Sequence, residues 1–175
     1  MNNKIKLRTF EKEEKNMPKA KLLFDEKYVP AAAALIKAAK KEILVMAYLM
    51  TAPGGKKPGR EELLYAELLG GMRRGLDCKI IINHTTPENK MIKENIKASK
   101  YMKIRGVDCR AVSRNRTVHA KMIIIDGVSL IVGSHNWTRR AMERNIEASI
   151  QVDMTEVVKI ARERFLELWE KAEEV

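Results

Sequence analysis

Two residues of complementary chemistry stand two apart in this chain: His119, able to act as nucleophile or base near neutral pH, and Lys121, a fixed positive charge. The apolar run 122–125 follows them, then the pair Asp126-Gly127. A second strand-forming run, 128–132, leads into Gly133-Ser134-His135-Asn136. Residues two apart on a strand face the same side. Asp-Gly between two β-branched runs predicts a hairpin, and that hairpin folds Ser134 and Asn136 back beside His119 and Lys121. An imidazole, an ammonium, a hydroxyl and an amide then meet at one edge. Such a set suits an oxyanion, phosphate above all. The competing reading is a buried His and Lys on a purely structural hairpin. Lysine is rarely buried unpaired, which leaves the position of Lys121 between Ala120 and Met122 unexplained on that reading.

The order His-x-Lys, four residues, Asp, six residues, Gly-Ser, one residue, Asn resembles the signature of the phospholipase D superfamily. The resemblance covers most of the chain and implies phosphodiester cleavage through a covalent phosphohistidine. His119 would attack phosphorus in line. Lys121 and Asn136 would hold the non-bridging oxygens as charge develops. Ser134 either adds a hydrogen bond or fills a crowded strand end. Glu147 matches a family position where a carboxylate holds the far nitrogen of the catalytic histidine; the bland alternative is a solvated strand-face glutamate. Asp126 sits at the turn, where capping or pairing with a base is the expected role. No metal and no other cofactor is implied, since Lys, His and Asn supply the electrostatics. Larger members carry two copies of the motif. Here His84 and His135 lack the lysine two residues on, so the resemblance implies a homodimer with one site across its two-fold axis.

The elements that must position these residues read as alternating strands and helices. Strands are expected at 21–24, 42–50, 78–82, 109–112, in the motif hairpin and at 146–152. Helices are expected at 28–40, 61–74, 89–105 and 156–171, the last with Val157, Ile160, Ala161, Phe165, Leu168 and Trp169 on its inner face. Residues 53–60, rich in Pro, Gly and Lys, form a loop. The pattern predicts an α/β fold, a three-layer α/β/α sandwich with a mixed, mostly parallel sheet. The superfamily's fold is the same. Residues 1–19 read as a flexible tail before a single catalytic domain, 20–175.

Composition narrows the partners. The chain has 175 residues, 45% of them apolar, enough for one core. Its net charge is +11, which favours a polyanionic partner. Arg114, Arg116 and Arg139, with Arg140 and Arg144, flank the hairpin and suit a nucleic-acid backbone. Trp137 is placed either to stack on a base or to pack in the core. The lysines at 90, 93, 97, 100 and 103 form a solvated face or extend a basic surface. Cys78 and Cys109 are read as buried thiols, with a disulfide open only if their strands are parallel neighbours. The sequence shows no secretory leader and no apolar run long enough for a membrane span, so a cytoplasmic protein without stable membrane association is expected. The leading function is a homodimeric, metal-independent nuclease acting on DNA or RNA. The alternatives are a phospholipid phosphodiester hydrolase and an inert nucleic-acid-binding module.

Overall fold

A computed structural model describes residues 20–55, 57–84, 90–112 and 116–175. The expected tail, 1–19, lies outside the described residues. The strands are β1 (Ala20–Phe24), β2 (Glu42–Ala47), β3 (Asp77–Ile82), β4 (Asp108–Ala111), β5 (Met122–Ile125), β6 (Ser129–Gly133), β7 (Ala148–Val152) and β8 (Glu173–Glu174). The helices are α1 (Tyr28–Ala38), α2 (Glu62–Arg73), α3 (Lys90–Lys103), the short α4 (Arg139–Glu143) and α5 (Thr155–Glu170). The strands form one sheet in the order β1-β7-β6-β5-β2-β3-β4-β8.

The sheet is mixed, as expected, but it is not mostly parallel. Only the β2–β3 and β3–β4 pairs run parallel. The other five pairings are antiparallel. The cause is in the connections. Parallel neighbours need a long crossover, and only α2 and α3 provide one between adjacent strands. The motif strands are joined by a hairpin turn or by the short α4.

Every residue of β2 is buried, because β2 lies between two helical layers. Ile43, Val45 and Ala47 pack into a core that includes Ala32 and Ile36 of α1, Leu68 of α2, and Ala98 and Met102 of α3. Leu44 and Met46 point the other way, into a core with Ile81, Ile124, Leu130 and Val158, Phe165 and Trp169 of α5. The expected three layers are therefore present. Helix α5 is rotated relative to the sequence reading. Val158, not Val157, faces the sheet, while Val157 and Ile160 are 38% and 65% exposed. Arg162 on α5 reaches Glu42 with two of its guanidinium nitrogens, at 2.5 and 2.9 Å, which supports that rotation. Cys78 and Cys109 are free and buried. Their strands are parallel neighbours, but the register sets Cys109 opposite Ile80. Burial pushes the thiols up to about 11 and about 12.

Candidate active site

Strand β5 runs antiparallel to β2, with Met122 opposite Met46. Residues 119–121 therefore sit at the C-terminal end of β2 and β3, the edge at which α/β sheets place their ligands. A buried asparagine holds this edge together. Asn95, on α3, donates to the carbonyls of Tyr48 (2.9 Å) and Asn83 (2.7 Å) and accepts from the Met50 amide (2.8 Å). The Val118 amide in turn donates to Asn83 Oδ1 at 3.1 Å. Three segments that share no sequence proximity are thus tied together just before His119.

His119 and Lys121 do share one side. Lys121 Nζ lies 3.5 Å from His119 Nδ1 and donates to the His119 carbonyl at 2.6 Å. Tyr48 backs both: its ring centroid is 4.6 Å from the imidazole and 4.7 Å from the ammonium, the latter a cation–π contact. With Nδ1 against the lysine, Nε2 is the nitrogen left to reach outward, and His119 is exposed. Lys121 is 9% exposed. Burial lowers its pKa, and the Glu147 carboxylate partly restores it. Sequence reasoning missed Tyr48, which looks from its neighbours like the end of a buried strand.

The return arm of the hairpin brings the remaining groups. The Gly133 amide donates to the Lys121 carbonyl at 3.2 Å, so residues 133–136 lie beside 119–121 as the hairpin requires. Glycine is obligatory at 133: a Cβ there would overlap the Ala148 carbonyl and the Ser149 Cα and Oγ. Gly133→Ala must push β6 from β7, and we expect a loss of about 1–3 kcal/mol from overpacking, read as a lower melting temperature, with reduced activity. Ser134 Oγ donates to Glu147 and accepts from the Ala148 amide at 3.0 Å. Asn136 Oδ1 is buried with no partner among the described residues. A buried amide oxygen left unsatisfied is rare in a purely structural role.

Glu147 is 8% exposed, so it is not a solvated strand-face residue. Its carboxylate takes hydrogen bonds from Ser134 and from Asn145 Nδ2, the latter at 2.8 Å. Among the described residues it makes no hydrogen bond to His119. Its backbone is clamped by Asp25, at the positive φ of 45°: Asp25 Oδ1 accepts from the Glu147 amide at 2.8 Å, and the Asp25 amide donates to the Glu147 carbonyl at 3.1 Å. His135 completes the support. It is fully buried, stacked on Tyr28 at 4.1 Å, and bridges Ser149 Oγ (2.8 Å) and the Asp25 carbonyl (3.3 Å). A neutral ring with its proton on Nε2 satisfies both partners. Burial lowers its pKa, against the opposing effects of the Asp25 carbonyl and of Glu147 and Asp25 charge. His135 is therefore sealed from substrate. The strand alternation expected for 146–152 is inverted at this end: Ile146 is 96% exposed while Glu147 and Ser149 are buried, because their face looks onto the site and His135.

Other expected residues fall elsewhere. Asp126, at φ 55°, lies at the far end of β5. Its carboxylate accepts the amides of Lys40, Lys41 and Glu42 at 2.8, 2.7 and 3.0 Å, a structural cap. Burial works to raise its pKa, but those three amides together outweigh it and hold the carboxyl low. Trp137 does not stack on substrate: it is 2% exposed and packs edge-on to Tyr65 at 5.5 Å. Arg114 lies outside the described residues. Arg116 is exposed and lines a groove with His119. Arg139 pairs with Glu143 at 2.8 Å and donates to the Lys57 carbonyl at 3.3 Å, so Lys57 is fastened to α4. Lys57, Arg139, Arg140, Arg144 and Asn145 line a cleft of about 840 Å³. Asn145 joins that cleft to Glu147.

Residues 33–169 match the family described as "Cardiolipin synthase, PLD-like domain", where PLD is phospholipase D. The chain belongs to the phospholipase D-like family. Among solved structures, this phospholipase D-like chain is similar to Nuc from Salmonella typhimurium, a phospholipase D family member (TM-score 0.76, 25% identity, 91% of this chain and 99% of that one). NucT from Helicobacter pylori shares the fold (TM-score 0.70, 19% identity, 91% and 100% coverage). Among curated proteins, a mitochondrial cardiolipin hydrolase of Xenopus laevis is 35% identical over 66 residues, 38% of this chain and 31% of that protein. That of Danio rerio is 39% identical over 56 residues, 32% and 25% of the two chains. The matched stretch thus spans about a third or less of these hydrolases. Among the described residues no helix is long and apolar enough to cross a membrane.

Proposed function

We propose that this chain is a metal-independent phosphodiesterase that cleaves DNA or RNA through a covalent phosphohistidine, at a site completed by a second copy of itself. One observation carries the reading: His119 and Lys121 stand together at the sheet edge, beside a hairpin arm whose Ser134, Glu147 and Asn145 hydrogen bonds lead to the arginine-lined cleft. The cleft suits the flanking phosphates of a polyanion. In this reading Lys121 with Asn136 supplies the oxyanion contacts that a metal ion supplies elsewhere.

In the first step His119 Nε2 attacks phosphorus, the P–N bond forms and the P–O bond to the leaving group breaks. The leaving oxygen takes a proton from a second imidazolium. That imidazole then removes a proton from water. The resulting hydroxide attacks phosphorus, the P–N bond breaks, and a phosphomonoester departs. His135 cannot be the second imidazole, because it is sealed behind Tyr28 and Ser149. The His119 of a second copy can. His84, which follows β3 at the same sheet edge, is the in-chain alternative.

Mixing separates the two sources. If one site needs both His119 side chains, an equal mixture of wild type and His119→Asn, exchanged to equilibrium, retains about a quarter of the wild-type activity, because only wild-type pairs turn over. A half-maximal rate would mean that each chain works alone, and His84→Asn would then be the inactive variant. Phospholipid hydrolysis is the second reading. It is favoured by the apolar groove that opens at His119 and is checked with cardiolipin vesicles in the same assay.

A further inference from the structure

We infer that Arg140 binds a second phosphate of the substrate, beside the one being cleaved, and that Asn145 carries that contact to Glu147. The inference rests on the nuclease reading above and narrows its substrate class to a diester inside a chain of phosphates, rather than an isolated one. The cleft holds more positive charge than the fold neutralises. Arg139 is paired with Glu143, the one acid of α4. Among the described residues no carboxylate lies within ion-pair distance of Lys57, Arg140 or Arg144. These three exposed cations therefore converge on one concave surface without a counter-charge. Such crowding is unfavourable in the free protein and is relieved by an anion.

Its hydrogen-bond partner separates Arg140 from the other two. Arg140 Nε donates to Asn145 Oδ1 at 3.2 Å, and Asn145 Nδ2 donates to Glu147 Oε1 at 2.8 Å. The amide cannot be turned round, because a guanidinium only donates and a carboxylate only accepts. The Asn145 backbone amide donates to the Arg140 carbonyl at 3.0 Å, which keeps the two residues in register. The other oxygen of Glu147 takes the Ser134 hydroxyl, and the carboxylate charge acts on Lys121. Two hydrogen bonds thus join the cleft to a buried carboxylate behind the candidate site. The Nε bond is at the long end of the normal range, and it leaves the Nη groups of Arg140 for a phosphate. A phosphate there fixes the guanidinium plane and offsets the repulsion of Lys57 and Arg144. Hydrogen bonds in a chain polarise one another, so the hold of Asn145 on Glu147 tightens as the cleft fills. Arg140 is then a substrate-binding residue, and Asn145 a positioning residue acting through Glu147.

The test uses three diesters: bis(p-nitrophenyl) phosphate, a dinucleoside monophosphate, and the same dinucleotide with a phosphate on each outer hydroxyl. The last two share one leaving group, so their ratio reports the added phosphates alone. Steady-state kinetics are measured on wild type, Arg140→Ala, Arg140→Lys and Asn145→Ala, each with a melting curve. Lys159→Ala, on the exposed side of α5, controls for loss of one charge. Wild type is expected to favour the phosphate-capped dinucleotide at least about tenfold in kcat/KM, the scale of one charge-assisted contact, through a lower KM and a higher kcat together. Arg140→Ala should abolish that preference, and Lys159→Ala should keep it. Arg140→Lys retains the charge without the Nε donor, and Asn145→Ala retains the guanidinium without the link. In both, the added phosphates should still lower KM but no longer raise kcat. Equal wild-type rates on the two dinucleotides overturn the second-phosphate site and leave the nuclease reading standing. Hydrolysis of bis(p-nitrophenyl) phosphate with neither dinucleotide cleaved overturns both. A preference lost equally in Lys159→Ala overturns the assignment to Arg140. A kcat for Asn145→Ala that falls alike on all three diesters, with the capped dinucleotide still favoured in kcat, overturns the link and makes Asn145 a prop for Glu147.

Discussion

His119→Asn is expected to lower the cleavage rate by at least about 10⁴-fold, the scale seen when a covalent nucleophile is removed, and to leave nucleic-acid binding within about threefold. The first half follows from chemistry. An amide cannot form the P–N bond, and a shared site loses its proton donor as well. The second half follows from position. Binding is expected to come from Lys57, Arg139, Arg140 and Arg144 in the cleft, none of which touches His119 among the described contacts. The fold should survive, because His119 is exposed and its ring contacts are with Tyr48 and Lys121. Filter binding, single-turnover cleavage and a melting curve on one preparation measure all three quantities. Loss of binding together with cleavage would mean that His119 organises the substrate surface, contrary to this assignment.

Lys121→Met should destroy activity and yet stabilise the protein. Removing a single oxyanion contact typically lowers the rate by about 10²–10³-fold. The stability effect comes from burial. Lys121 is almost enclosed, and its pKa is lowered, first by burial and only partly restored by Glu147. A lysine with a folded-state pKa below its unfolded value destabilises the fold while it is charged. That penalty is present at neutral pH and is relieved as pH rises through the folded pKa. Methionine keeps the volume without the charge. We expect a gain of about 1 kcal/mol, or about 2–4 °C in melting temperature for a chain of this size, shrinking in alkaline buffer. A lower melting temperature would show that the His119 carbonyl bond and the Tyr48 ring outweigh the burial penalty. Function and stability trade against each other at such a residue.

The sequence was most legible where contacts are local. The motif hairpin reads directly, because Asp-Gly and β-branched runs determine turn and register within a few residues. The three layers follow from the alternation of strands and helices. What was not legible depends on distant pairing. Asp25 grips Glu147 across 122 positions, and no local signal in 25–28 announces it. Asn95 looked like one more polar residue on a lysine-rich helix. The rotation of α5 was ambiguous because both flanks are apolar; the packing of Val158, Phe165 and Trp169 on the sheet and the distant ion pair of Arg162 with Glu42 go with the flank that faces inward. Trp137 joins the core because the Thr51 amide donates to its carbonyl at 3.0 Å, holding it beneath the loop. The antiparallel bias of the sheet was readable in principle: no crossover helix separates β5, β6 and β7.

Cleavage of end-labelled single- and double-stranded DNA and RNA by the purified wild type in excess EDTA, beside His119→Asn, bears most directly on the proposed chemistry. The expected result is EDTA-resistant cleavage of at least one polymer by wild type and none by His119→Asn. Cleavage that stops on chelation, or that persists in His119→Asn, would contradict a metal-free histidine nucleophile at this site.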